Sequence, residues 1–102
     1  MYEAEIARGM AWLDAERPGW RERLDRTRLD MSNPDRCPLG QEFGSSRPDG
    51  TGYYYAVATF DFDPVALGFT VELSRSHWKE ELERDVSRYR QLTREWLEAL
   101  AE

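Results

Sequence analysis

Tyr53-Tyr54-Tyr55-Ala56-Val57-Ala58-Thr59-Phe60-Asp61-Phe62 is the stretch on which the fold class turns. Its aromatic and β-branched residues favour a strand. As a strand it would carry Tyr53, Tyr55, Val57 and Thr59 on one face and Tyr54, Ala56, Ala58 and Phe60 on the other. Phe69-Thr70-Val71-Glu72-Leu73 alternates in the same way, and pairing the two would give a short hairpin around 53–73 and an α+β domain. The other reading is helical, and it makes the chain mainly α. Between the two runs, Asp63-Pro64-Val65-Ala66-Leu67-Gly68-Phe69 reads as one helical turn under either option. Asp63 caps it, Pro64 opens it, Gly68 closes it and Phe69 packs back.

Upstream lies the clearest loop, Gly44-Ser45-Ser46-Arg47-Pro48-Asp49-Gly50-Thr51-Gly52. It is polar and lacks apolar anchors. Its glycines match neither the Walker loop nor the dinucleotide fingerprint, so no phosphate-binding loop is assigned. Before it, Asn33-Pro34 predicts a helix start, with a short helix ending at Gly44; Gly40 weakens that helix. At the N-terminal end, Tyr2, Ile6, Met10 and Leu13 recur at helical spacing and predict a helix over 2–15. Trp12 lies off that stripe and is expected to rest on a neighbouring element. Pro18-Gly19 stops this helix, and Trp20 and Leu24 fit a short second one over 19–24.

The strongest helical signal runs from His77 to Ala101. Trp78, Leu82, Val86, Tyr89, Leu92, Trp96 and Leu100 repeat at threes and fours, and Glu80 and Arg84 form an outward i,i+4 pair. Such a stripe is either the core-facing side of one helix or a seam for a second copy or partner. In the second case Trp78 and Tyr89 are the anchors. The expected architecture is therefore mainly α, a small single domain over 1–102 with a long C-terminal helix. The α+β form with a hairpin at 53–73 is the alternative.

Composition narrows the function classes. The chain has 102 residues, 40% hydrophobic and 33% charged, with four Trp, five Tyr and four Phe to build one core. Its net charge of −6 disfavours nucleic acid and anionic membranes as partners. No apolar run approaches the roughly 20 residues that span a bilayer, and no secretory signal is evident. The middle of the chain is the most acidic part, with Asp49, Asp61, Asp63 and Glu72 set against Arg47 alone. That surface reads as solvated acid, or as a face for a cation or a DNA-binding partner.

Reactive groups are few. Cys37 is the only cysteine, so no internal disulfide forms, and a cytoplasmic location is expected. A nucleophile–base pair would need Cys37 with His77, the only histidine, and nothing in their spacing brings them together. One Cys and one His make no recognisable zinc site, and Asp61 with Asp63 lacks the spacing of a calcium loop. No catalytic, cofactor-binding or metal-binding residue is assigned. Gln41 and Thr93 are polar residues among apolar ones, placed to satisfy buried backbone groups.

Four ordered stretches carry a resemblance. They are Pro18-Gly19-Trp20 leading to Leu24-Asp25 and Leu29-Asp30; Cys37-x-Leu39-x-Gln41-x-Phe43-Gly44; Ala66-Leu67-Gly68-Phe69; and Tyr89-x-x-Leu92-Thr93-x-x-Trp96. The chain resembles a family of small uncharacterised proteins encoded by actinobacteria and their phages, and its Arg-rich, Lys-poor composition agrees with such a source. The resemblance implies no activity. It implies a small cytoplasmic accessory protein of phage or prophage type, with Cys37 and Gln41 as the shared polar pair to inspect. The loop at 44–52 and the charged stretch at 74–86 are longer than the family pattern.

The leading expectation is a non-enzymatic protein that binds another protein, a host or defence factor. Arg47, Asp49, Asp61, Trp78 and Tyr89 are its candidate contacts. The alternative is a self-associating helical protein, a homodimer that encloses a small ligand. A Cys37-dependent enzyme comes third.

Overall fold

The computed structural model describes residues 1–44, 52–72 and 79–101, with the side chains at 79–82 left out. Among the described residues five α-helices run in the order α1 (Glu3–Glu16), α2 (Trp20–Arg23), α3 (Pro38–Gly44), α4 (Gly52–Phe60) and α5 (Lys79–Ala101), with a 3₁₀ turn at Arg26–Arg28. No described residue lies in a strand. The mainly α reading holds. The hairpin alternative around 53–73 is corrected, because 52–60 is helical and 69–72 pairs with nothing as a strand.

Tertiary packing overrides strand propensity in α4. Gly52 and Ala56, one turn apart, are buried, and they let the helix lie directly on α3. A Cβ on Gly52 would sit 2.7 Å from the Gly44 nitrogen and 2.8 Å from the Gly40 carbonyl oxygen. Gly40 is thus a requirement of the fold, where helix propensity alone counts it as a weakness. A side chain there would also strike the Pro34 carbonyl. Helix α3 itself begins at Pro38. Asn33-Pro34 opens the preceding turn instead, in which the Asn33 side chain accepts the Asp35 amide at 2.8 Å and its carbonyl accepts the Cys37 amide at 3.0 Å.

Helix α1 buries the face expected of it, Ile6, Met10 and Leu13, together with Gly9. A Cβ at Gly9 would fall on the Leu67 carbonyl oxygen, so the 63–69 turn packs against bare backbone. In that turn the Asp63 carboxylate accepts the Val65 amide at 3.0 Å, and the Phe69 amide donates to the Pro64 carbonyl at 2.8 Å. Gly68 takes the left-handed conformation, φ +71°, that a side chain resists. Phe69 then turns inward and stacks on Trp96, with centroids 5.7 Å apart.

Trp12 does rest on neighbouring elements. Its ring lies 4.8 Å from Phe62, 5.2 Å from Phe60 and 6.1 Å from Phe69, joining α1 to the end of α4 and the turn after it. Trp20 is buried as its spacing with Leu24 implies, and meets Trp96 edge-on at 6.3 Å.

Helix α5 buries Leu92, Trp96 and Leu100 and half-buries Tyr89. Val86 departs from the predicted stripe, with 49% of its surface exposed. His77, Trp78 and the side chains of Leu82 and of Glu80, the expected partner of Arg84, lie outside the described residues.

Candidate functional site

Two tyrosines of the first turn of α4 and one from α5 converge on a cleft of about 370 Å³. Tyr53, Tyr54 and Tyr89 line it with Met31, Val71 and Thr70. The 70–72 segment forms one wall, and the 31–37 segment, including Cys37, forms another. The Tyr89 and Thr70 hydroxyls are 2.8 Å apart and tie α5 to that wall. Tyr53 and Tyr54 meet edge-to-face with centroids 5.2 Å apart. Burial pushes the Tyr53 phenol up to about 12, against the opposing pull of the Thr70 hydroxyl, so it stays protonated.

This cleft is apolar and aromatic with a few polar tips. It lies at the small end of the size range of ligand sites. Tyr54 (60% exposed) and Val65 (38% exposed) stand at its rim beside Glu72. Such a surface can accept a flat or aliphatic side chain and offer hydrogen bonds at its edges.

The thiol within the same walls is ill suited to attack. Cys37 is 1% exposed, and burial pushes its thiol up to about 11. Its Sγ accepts the Gly40 amide at 3.3 Å, so it belongs to the start of α3. His77 lies outside the described residues.

Gln41, four residues after Cys37, points elsewhere and is a backbone clamp. Its Oε1 accepts the Asp25 amide at 2.8 Å, and its Nε2 donates to the Arg36 carbonyl at 2.8 Å and the Asp25 carbonyl at 3.2 Å. Thr93 works in the same way, its Oγ1 accepting the Met31 amide at 2.9 Å. Both residues thus bond backbone groups as expected, the group held by Thr93 part-buried and those held by Gln41 exposed.

The remaining candidates are scattered. Asp61 is exposed and ends α4 in a left-handed conformation, φ 50°, donating its amide to the Val57 carbonyl at 3.1 Å. It takes no part in the cleft. Arg47, Asp49 and Trp78 lie outside the described residues. Of the contacts singled out from sequence, Tyr89 reaches the cleft, and Cys37 stands in its wall. Tyr53, Tyr54, Met31 and Thr70 were missed. The one signal for them was the run of three tyrosines, which a strand register splits between two faces.

Among the described residues Glu42, Asp85 and Glu95 are buried acids that local patterning does not show, and Glu42 and Glu95 serve the scaffold. Glu42 on α3 takes Nε of Arg23 at 3.2 Å and Nε of Arg17 at 3.4 Å, tying α3 to the end of α1 and to α2. Glu95 on α5 accepts the Tyr2 amide at 2.7 Å, the Met1 ammonium at 2.9 Å and the Gln91 side-chain amide at 2.9 Å. Burial alone would raise the Glu95 carboxyl, but these donors overcome it and hold it below the ordinary value.

Among the described residues no group of three or more His, Cys, Asp or Glu side chains could hold a metal ion, and no helix is long and apolar enough to cross a membrane. The chain matches no protein-family model, no curated protein and no solved structure.

Proposed function

We propose that this chain is a non-catalytic domain that binds another protein through the tyrosine cleft. The observation that carries the reading is the rim. Tyr54 is the most exposed aromatic ring among the described residues, and it stands beside Val65 over a concave apolar surface. Tyrosine supplies a large contact area at low entropic cost and is enriched at protein interfaces. The buried, protonated Cys37 thiol in the cleft wall argues against the Cys37-dependent enzyme. The resemblance to proteins of actinobacteria and their phages makes a cytoplasmic accessory role the natural setting, with a host or defence factor as the partner.

A photo-crosslinking residue at position 54 of the full chain tests this in the host. One discrete protein adduct is expected. It should be absent when the crosslinker stands at Glu16, exposed at the end of α1, and it should be competed away by unlabelled wild-type chain but not by Tyr54→Ser. No adduct at position 54, or the same adducts from both positions, would overturn the reading.

A second reading is self-association through α5. Val86 and Leu97 are both exposed and eleven residues apart, close to three full turns, so they share one face. Light scattering decides it: a discrete dimer that Val86→Glu dissociates favours the seam, and a monomer across the concentration range removes it.

A further inference from the structure

Arg28, Arg36 and Arg90 converge on a second depression, of about 500 Å³, between the 27–36 segment and α5. Arg8, Arg17, Arg21, Arg23 and Arg88 each have a carboxylate within 4 Å; Arg26, Arg84 and Arg94 have none among the described residues but stand outside the hollow. Arg28, Arg36 and Arg90 also have none among the described residues. Among the described residues the only acid lining the depression is Asp30, and its Oδ1 already accepts the Ser32 amide at 3.0 Å and the Ser32 hydroxyl at 2.6 Å. In a chain of net charge −6, this is a local reversal of sign. Three guanidinium groups around one hollow repel each other, and an incoming anion relieves that repulsion.

We infer that the depression ringed by Arg28, Arg36 and Arg90 is a docking site for a short acidic peptide segment of a partner protein. The guanidinium fork pairs with carboxylates in two-pronged fashion, and three forks can take successive Glu or Asp side chains. The Thr93 hydroxyl, which accepts the Met31 amide, also lines the hollow and adds a polar group to it. Leu29 and the half-exposed Val86 give it an apolar side for aliphatic stems. A peptide is favoured over a nucleic acid by extent and by charge. The chain's net charge of −6 opposes a long polyanion, whereas a short acidic segment is held within the hollow. The site does not depend on the tyrosine cleft, although Tyr89 and Ser32 line both.

Fluorescence anisotropy with the full chain tests it. The probes are labelled hexaglutamate, labelled hexaglutamine and a thymidylate oligonucleotide of matched charge, at low ionic strength. Hexaglutamate should bind and hexaglutamine should not. Arg28→Glu and Arg90→Glu should each weaken hexaglutamate binding at least about tenfold. Arg84→Glu, the same charge change on α5 outside the hollow, should weaken it less than about threefold. Far-UV circular dichroism checks each fold, and Arg28→Gln and Arg90→Gln replace any charge-reversal variant that unfolds. Absence of hexaglutamate binding, an equal loss in Arg84→Glu, or an oligonucleotide that binds as tightly as the peptide would each overturn the inference.

Discussion

The indole Nε1 of Trp96 donates to the backbone carbonyl of Gly68 at 2.7 Å, joining the C-terminal part of α5 to the left-handed residue of the 63–69 turn. Both ends of this bond are buried. It aligns Trp96 with Phe69, which stacks on it, and sets the turn against Gly9 of α1. Gly68→Ala should therefore cost about 2–4 kcal/mol, from the strained φ and from a Cβ placed 2.8 Å from the Ile6 nitrogen. Trp96→Phe should cost about 2–3 kcal/mol, because the carbonyl loses its donor and the core loses volume. Urea denaturation of the two single variants and the double variant checks this. The double loss should fall short of the sum, since the residues share one contact.

Thr93 tests whether a polar residue in the core stripe serves the backbone. Replacing it by the near-isosteric Val leaves the Met31 amide without its acceptor and should cost about 1–3 kcal/mol. Thr93→Ser keeps the acceptor and should retain most of the stability. Thermal unfolding ranks the three proteins, and exchange of the Met31 amide hydrogen should accelerate in Thr93→Val alone.

Glu95 makes stability depend on acid pH. Its folded carboxyl titrates below the ordinary value. The stabilisation it brings is thus complete above the unfolded-chain value, about 4.3, and is lost as pH falls through the lower folded value. Glu95→Gln should flatten that part of the stability-versus-pH curve and lower stability at neutral pH. Urea midpoints at neutral pH and at successively lower values read both effects. An unchanged acid limb in the variant would contradict the assignment.

Cys37 should be inert while the chain is folded. A thiol pushed to about 11 and 1% exposed should resist iodoacetamide at pH 8, then react stoichiometrically once urea unfolds the protein. Mass spectrometry of alkylated samples counts the adduct. Rapid labelling of the folded chain would place the thiol in an open cleft and restore the enzyme reading.

Much of the scaffold was legible in the residues, and the reason is locality. The inner face of α1, the inner positions Leu92, Trp96 and Leu100 of α5, and the Asp63–Phe69 turn are all patterns of three to seven residues. Gln41 and Thr93 were legible as backbone partners because a polar group amid apolar neighbours must find a partner. Their partners were not legible, since Thr93 reaches back to Met31 and Gln41 to Asp25.

The candidate site was legible only in fragments. Tyr89 and Cys37 drew notice separately, one as a helix anchor and one as a lone thiol, and no spacing rule makes them neighbours. Tyr53 and Tyr54 were divided between opposite faces by the strand register, whereas the first turn of α4 brings both to one wall. The arginine hollow is less legible still. Arg28 and Arg36 lie far from Arg90 in sequence, and charge counts along the chain show only acidity.

The amino-acid sequence by itself determined the helical stripes and the turn at Gly68, because each is set by neighbours a few residues apart. The tertiary structure decided the rest. Helix α4 is a helix because Gly52 and Ala56 lie against α3, where contact with Gly40 and Gly44 outweighs a local preference for strand. Glu42 and Glu95 are buried because donors from other elements satisfy them there. The cleft and the hollow exist because α5 passes beside the 27–37 segment, a juxtaposition of residues distant in sequence that no local pattern encodes.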